Sequence, residues 1–319
     1  MMKKYLINLF YAFRSPSTCL DEVSRVVMNS NDPYASLQEL KSQLSPLYHR
    51  TLTIISRVLD GKQDALKLRG IGIWHCLITL SNTSGIELKN YIGQYSELDK
   101  GRGMLRDTLK YNVFYIIYLV FIFQIASVAI EVYRVKSLPV FESYLADFGL
   151  KMPALTKAVM NDTFMVIFYC VFVFALFFML VPLFVKKRMR QLQGIPWYLR
   201  LTPFYWFVIY NYQKYRFLLY TKIGYKASDS NAIDHALQSI GTLFLPMDEK
   251  ILLMMAQKNT QFEAELDERL NDLGYILRNQ VRRSDMFLGF FFISCVVLMM
   301  ASFLIAMYLP IFLLPGVVW

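Results

Sequence analysis

Charge is scarce in this chain. Only 18% of its 319 residues are Asp, Glu, Lys or Arg, against about 25% in soluble domains, which excludes a solvated, disordered class. Cysteine is scarce too. Cys19, Cys76, Cys170 and Cys295 are scattered without a CxxC pair, so no disulfide or zinc framework is expected. His49, His75 and His235 stand isolated; His75 and Cys76 are neighbours, but adjacent helical residues point to different faces. There is no Gly-rich phosphate loop with Lys-Ser/Thr, and Ser84-Gly85 lacks the residues of a nucleophile elbow. No catalytic, cofactor or metal residue is therefore assigned, and no enzymatic role is expected.

What the chain has is apolar and aromatic mass: 55% hydrophobic residues, with 25 Phe and 21 Tyr, and a mean hydropathy of +0.35. Three apolar runs, Val113 to Val132, Phe164 to Val185 and Met286 to Leu309, exceed the ~18 residues at which a membrane span becomes the default reading. Backbone groups in lipid must be satisfied internally, and no alternating barrel strands are present, so the spans are helices. Lys100, Arg102, Arg106 and Lys110 precede the first run; Lys186, Lys187, Arg188 and Arg190 follow the second; Arg278, Arg282 and Arg283 precede the third. The positive-inside bias puts these clusters on the cytoplasmic side. The net charge of +10 thus reads as membrane orientation, and no nucleic-acid partner is expected.

The expected architecture is an all-α membrane protein. Cytoplasmic helical domains at 1–111 and 186–285 flank spans at 112–134, 163–185 and 286–309, with a periplasmic loop at 135–162 and a periplasmic tail at 310–319. Met1 to Phe13 reads as an amphipathic helix with Leu6, Leu9, Phe10 and Phe13 on one face rather than a cleaved signal. Asp32-Pro33 predicts an N-cap and first-turn proline, followed by Leu37, Leu40 and Leu44 until Ser45-Pro46. A second helix is expected to run to Leu59, ended by Gly61 after Asp60. Ser230 or Asn231 caps a helix closed by Gly241, and Asp248 opens another. Thr260-Gln261-Phe262-Glu263 fits a capping box. Phe262, Leu266, Leu270, Leu273 and Leu277 then mark one face of a helix running on into the third span.

An internal repeat carries more information. Leu138-Pro139-Val140-Phe141 beyond the first span matches Leu309-Pro310-Ile311-Phe312 at the end of the third, and at nearly the same offset Arg106 and Lys110 match Arg278 and Arg282. A helical domain, a basic flank, a span and an outside Leu-Pro-aliphatic-Phe element recur together. Two such units of one direction need a return crossing, which the second span supplies.

Some segments read two ways. Pro139, Gly149 and Pro153 punctuate a hairpin between spans, while Phe141, Tyr144, Phe148 and Met152 offer an apolar outside face to a partner or a second copy; both can hold. Trp197 to Tyr212 is too short for a fourth span; core packing is the first reading, and seating in the inner membrane surface the alternative. Gln124, Ser127, Ser294, Ser302, Glu131 and Pro182 are too little polarity for three spans to line a pore alone, so a transporter or channel subunit is the competing function.

At Leu138 to Thr156, LPVFESYLADFGLKMPALT, the chain resembles the PilC/GspF family, the inner-membrane platform proteins of type IV pilus and type II secretion systems. The closing YLPIF, Tyr308 to Phe312, is similar to that family's C-terminal signature. Tyr220 to Leu237, YTKIGYKASDSNAIDHAL, resembles the start of its second cytoplasmic domain. The family's first domain carries Gly-Glu before Ser-Gly; LSNTSG at Leu80 to Gly85 keeps the Ser-Gly and lacks the acid. The resemblance implies a platform in the bacterial inner membrane, N-terminus cytoplasmic and C-terminus periplasmic, coupling a cytoplasmic ATPase to insertion of pilin subunits. It further implies inner-membrane alignment proteins, lipid and other copies of itself as partners, and no cofactor. The interface residues it points to are Leu138, Pro139, Phe141, Phe148, Gly149, Met152, Pro153, Ser84, Gly85, Gly224, Leu309, Pro310 and Phe312.

Overall fold

The computed structural model describes residues 23–28, 30, 32–44, 48–60, 72–109, 113–200, 202, 204–240, 247–258 and 262–313. Among these residues every regular element is helical and no strand occurs. The amphipathic helix expected at Met1 to Phe13, Ser45-Pro46, Gly61, Gly241 and the Thr260-Gln261 start of the capping box lie outside the described residues.

The chain divides into two compact units. One draws on Met1–Lys110, Val185–Leu201 and Tyr205–Val281, the other on Tyr111–Phe184, Thr202–Phe204 and Arg282–Trp319. In the first, α1 (Pro33–Gln43) starts where the sequence requires: the Asp32 carboxylate accepts from the backbone N–H groups of Tyr34 at 3.0 Å and Ala35 at 3.2 Å, and Pro33 occupies the first turn. α2 (His49–Leu59) buries Leu52, Ile55, Val58 and Leu59, an i, i+3, i+6, i+7 stripe. α3 (Gly72–Ser84) is buried almost all round, through Ile73, Trp74, Cys76, Leu77, Ile78 and Leu80. The short α4 (Leu88–Ile92) and then α5 (Tyr95–Thr108) complete the N-terminal block.

The later block packs into that same unit. Its α11 (Trp206–Lys226) lies against α3, α5 and α12 (Ala232–Ile240), and α12 lies against α3. From Tyr212 to Gly224 nearly every α11 residue is buried, including Tyr212, Tyr215, Phe217 and Tyr220. Within the Trp197 to Tyr212 stretch a core position thus holds for Tyr205, Val208, Ile209 and Tyr212, while Trp197, Tyr198, Trp206 and Phe207 are exposed. Gly101 permits the approach of α5: a Cβ there would stand 3.0 Å from Leu219, and the Tyr215 hydroxyl donates to the Gly101 carbonyl at 3.0 Å. α13 (Met247–Gln257) follows, beginning one residue before Asp248.

The second unit holds α6 (Val113–Val132), a π-helical segment (Tyr133–Ser137), α7 (Leu138–Asp147), α8 (Ala154–Met160) and most of α9 (Asp162–Arg190). The final helix, α14 (Phe262–Leu313), is 52 residues long and contributes to both units. It thus runs on into the third apolar run as its sequence pattern implied; Phe262, Leu266, Leu270 and Leu277 are buried and Leu273 half-buried. Among the described residues three helices are long and apolar enough to cross a membrane, over Ile116–Asp147, Tyr169–Arg190 and Phe262–Leu309, with only 24%, 24% and 17% of their apolar windows buried. Apolar surface left outward on that scale is matched to lipid rather than water.

The segment expected as an outside loop, 135–162, is largely helical, and the tail continues α14 as far as Leu313. The two Leu-Pro elements solve one problem differently. Proline has no N–H and its ring crowds the carbonyl four residues back. Before Pro139 the backbone widens to the π register, with the Leu138 N–H bonding to the Tyr133 carbonyl, five residues back. At Pro310 the carbonyl deprived of its donor belongs to Ala306, and the buried Thr156 hydroxyl donates to it at 2.8 Å.

Candidate functional site

The first unit has a polar interior in three clusters. One assembles residues singled out from distant segments. Gly85 ends α3 in the left-handed conformation, φ +70, where glycine carries no Cβ penalty. Just before it, the Ser84 hydroxyl accepts from the Tyr91 hydroxyl at 2.9 Å and from the Ile86 N–H at 3.2 Å. Tyr91 also reaches the Asp229 carboxylate at 3.5 Å. Asp229 is 5% exposed, and a carboxylate so buried must be compensated. The Asn231 N–H donates to its Oδ1 at 2.9 Å, and His235 Nδ1 lies 2.8 Å from its Oδ2. Gly224 closes the cluster: the Asp229 N–H donates to its carbonyl at 3.0 Å, and a Cβ at Gly224 would meet the Ala232 Cβ at 2.9 Å. The structure thus brings Ser84 and Gly224 to one place, with Tyr91 and Asp229 between them. Burial raises the Tyr91 hydroxyl above its ordinary range, opposed by the bond to Ser84. With Ser84 accepting from Tyr91 and Asp229 from Asn231, the cluster ties α3–α4 to α11–α12.

The second cluster holds the turn after α9. The fully buried Tyr220 hydroxyl contacts Cys76 Sγ at 2.9 Å and the Leu192 carbonyl at 3.4 Å, and the Tyr212 hydroxyl donates to the Gln193 carbonyl at 2.8 Å. Arg102 Nε donates to the Arg190 carbonyl at 3.3 Å. Leu192 sits at φ 54, an uncommon conformation for a side chain of its size, held by these contacts from α3, α5 and α11. Arg216 lies within, 4% exposed, donating to the Tyr220 hydroxyl at 3.1 Å, with its guanidinium over the Tyr220 and Tyr212 rings at 5.1 and 5.9 Å. It has no ion pair among the described residues. Burial pushes the Cys76 thiol up despite that guanidinium, and pushes Tyr212, Tyr215 and Tyr220 up as well.

The third cluster is ionic. Lys222 Nζ reaches Asp267 at 2.6 Å and Glu97 at 2.9 Å; Lys226 reaches Glu263 at 2.8 Å and Glu97 at 3.6 Å. Two lysines four apart on α11 thus face two acids four apart on α14, with Glu97 of α5 between them. The hydrogen bond from Lys222 holds the Glu97 carboxyl below its ordinary range. Burial alone would lower Lys222, but the hydrogen bonds to Asp267 and Glu97 outweigh it and raise its ammonium.

In the second unit the remaining singled-out residues divide. Leu138 is fully buried, Phe141 half-buried with its ring 6.5 Å from that of Tyr133, and Met152, Pro153 and Leu309 half-buried. Pro153 caps α8, and Gly149 takes φ +68 after α7, where the Leu150 N–H bonds back to the Leu145 carbonyl at 2.9 Å. Phe148 is 51% and Phe312 74% exposed; Pro310 lies within α14. The core beside them is aromatic: Phe123 stacks on Phe172 with centroids 3.4 Å apart, Phe292 meets Phe172 edge-on at 5.9 Å, and Phe303 meets Tyr133 at 5.4 Å.

Asp229–His235, buried Arg216 and the Lys222–Glu97–Asp267 bridge were not singled out in the sequence. Their one legible signal is a long acid-free stretch whose lysines and arginines must find carboxylates, rings or carbonyls elsewhere once buried. Among the described residues no three His, Cys, Asp or Glu side chains lie together as metal ligands. Comparison with protein-family models, curated proteins and solved structures gave no match.

Proposed function

We propose that this chain is an inner-membrane platform protein of a type IV pilus or related type II secretion machine, coupling a cytoplasmic assembly ATPase to insertion of pilin subunits into a fibre. The observation that carries this reading is α14: one helix supplies Glu263 and Asp267 to a polar-cored unit and Phe292, Phe303 and Ala306 to an apolar one. A machine that converts motor motion at the membrane surface into displacement of subunits in the bilayer needs a stiff element of this kind. The recurring Leu-Pro-aliphatic-Phe elements and the meeting of Ser84 with Gly224 around Asp229 also support it. In this reading 1–111 and 186–285 are related domains on the cytoplasmic side, the outer element Leu138 to Thr156 faces the periplasm, and the protein acts as a homo-oligomer beside inner-membrane alignment proteins.

Gentle-detergent affinity purification of the full chain from its native host, followed by mass spectrometry, should recover a hexamer-forming secretion ATPase and pilin-like proteins. Their reproducible absence from cross-linked, intact complexes, together with solute flux in liposomes, would replace the platform with a transporter. A Gly-rich insertion beside Ser284 should abolish fibre assembly while leaving membrane insertion unchanged. Normal fibres from that variant would end the lever mechanism.

A further inference from the structure

Between Lys186 and Ser228 the chain carries nine Lys or Arg residues and no Asp or Glu. The structure splits this stretch. Its later part is core, as above, but the single-turn α10 (Trp197–Arg200) and the start of α11 leave Trp197 at 73%, Tyr198 at 57%, Trp206 at 46% and Phe207 at 70% exposure. On α11 the outward residues are Trp206, Phe207, Tyr210 and Lys214, one helical stripe, while Val208, Ile209 and Tyr212 between them are buried and Asn211 donates to Gln280 of α14 at 2.8 Å. Basic groups border the aromatic ones: the Lys214 ammonium lies 5.4 Å from the Tyr210 ring centre, and Arg200 Nε donates to the Ile195 carbonyl at 3.1 Å. Arg200, Trp206, Ile209, Tyr210 and Gln213 line a shallow open hollow.

Exposed indoles and phenols with flanking cations are what a bilayer headgroup layer selects. Trp and Tyr place an apolar body and a polar tip across the interface, and Lys or Arg meet lipid phosphates. The short link of residues 191–196 joins this patch to α9, whose apolar run ends in Lys186, Lys187, Arg188 and Arg190; a chain of that length cannot extend far from a helix that enters lipid. We propose that Trp197, Tyr198, Trp206 and Phe207, with Arg200 and Lys214, form a docking surface for the anionic phospholipid headgroup layer of the bilayer that the apolar helices enter. The proposal rests on the membrane character of those helices and is independent of the platform role.

The test uses the full chain in nanodiscs of phosphatidylcholine and phosphatidylglycerol, with insertion verified by resistance to carbonate extraction. Subtracting the tryptophan emission of the W197F/W206F chain isolates the two exposed indoles from Trp74 and Trp319. Phospholipids brominated close to the headgroup should remove most of this difference emission, and iodide in the buffer should remove little. Raising salt, or the change R200Q/K214Q, should weaken retention of phosphatidylglycerol in native mass spectrometry, by about fivefold per charge removed. Difference emission quenched by iodide and untouched by brominated lipid would overturn the proposal. So would emission shielded from both quenchers in discs holding several copies and iodide-accessible in discs holding one, which would assign the patch to a contact between copies.

Discussion

The two units bury opposite kinds of chemistry. The first hides charge: Asp229 against His235, Arg216 among tyrosines with its buried Nε bonded to none of the described residues, Lys222 between Glu97 and Asp267. The second hides rings, and several of its hydroxyls address backbone: Ser127 to the Phe123 carbonyl, Thr156 to Ala306, Tyr133 to Met307 and Ser284 to Phe204. Charge in an interior needs an opposite charge, a ring face or a hydrogen-bond partner around it. Helices in lipid gain little from hiding apolar surface, so they associate through packing and through hydroxyl-to-carbonyl bonds.

The contrast can be broken most severely in the aromatic core. Phe123→Ala removes the ring stacked on Phe172 and should cost about 3 kcal/mol or more, read as a lowered melting temperature in detergent. Asp229→Ala strips the buried partner from His235 and Tyr91 and should cost about 2–3 kcal/mol; Asp229→Asn, which still accepts from the Asn231 N–H, should recover part of it. Gly224→Ala forces a methyl to 2.9 Å from the Ala232 Cβ and should cost about 1–3 kcal/mol. Thr156→Val keeps shape but leaves the Ala306 carbonyl without a donor, a loss of about 1 kcal/mol.

The smallest effect is one of pH. Glu97 titrates below its ordinary value in the folded chain, so its contribution is present above the unfolded carboxylate pKa and is lost as pH falls through the lower, folded one. Melting temperature should therefore decline below about pH 4.3, and Glu97→Gln should flatten that decline. An unchanged acid limb in the variant would remove Glu97 from the account.

Much of the architecture was legible because its signals are local. An aspartate before a proline marks the start of α1, and the apolar runs marked the three long helices. Their ends were not legible. The first and third spans were expected to end at 134 and 309, yet helix continues through Pro139 and past Pro310, because a π register and the Thr156 hydroxyl supply what proline withholds. The site was half legible. Ser84, Gly85 and Gly224 stood out as motif residues, but Asp229–His235 and the Lys222 bridge depend on partners brought together from distant segments, and no periodicity encodes a partner.

By itself the sequence determined a helical chain with three apolar helices fit for lipid, since helical period and hydrophobic length follow from composition along a single segment. Only the tertiary structure decided that the N-terminal and later blocks share one unit, which residues of the Trp197 to Tyr212 stretch are core and which are surface, and what surrounds each buried charge. Those outcomes depend on which distant side chains meet, and burial makes that meeting obligatory.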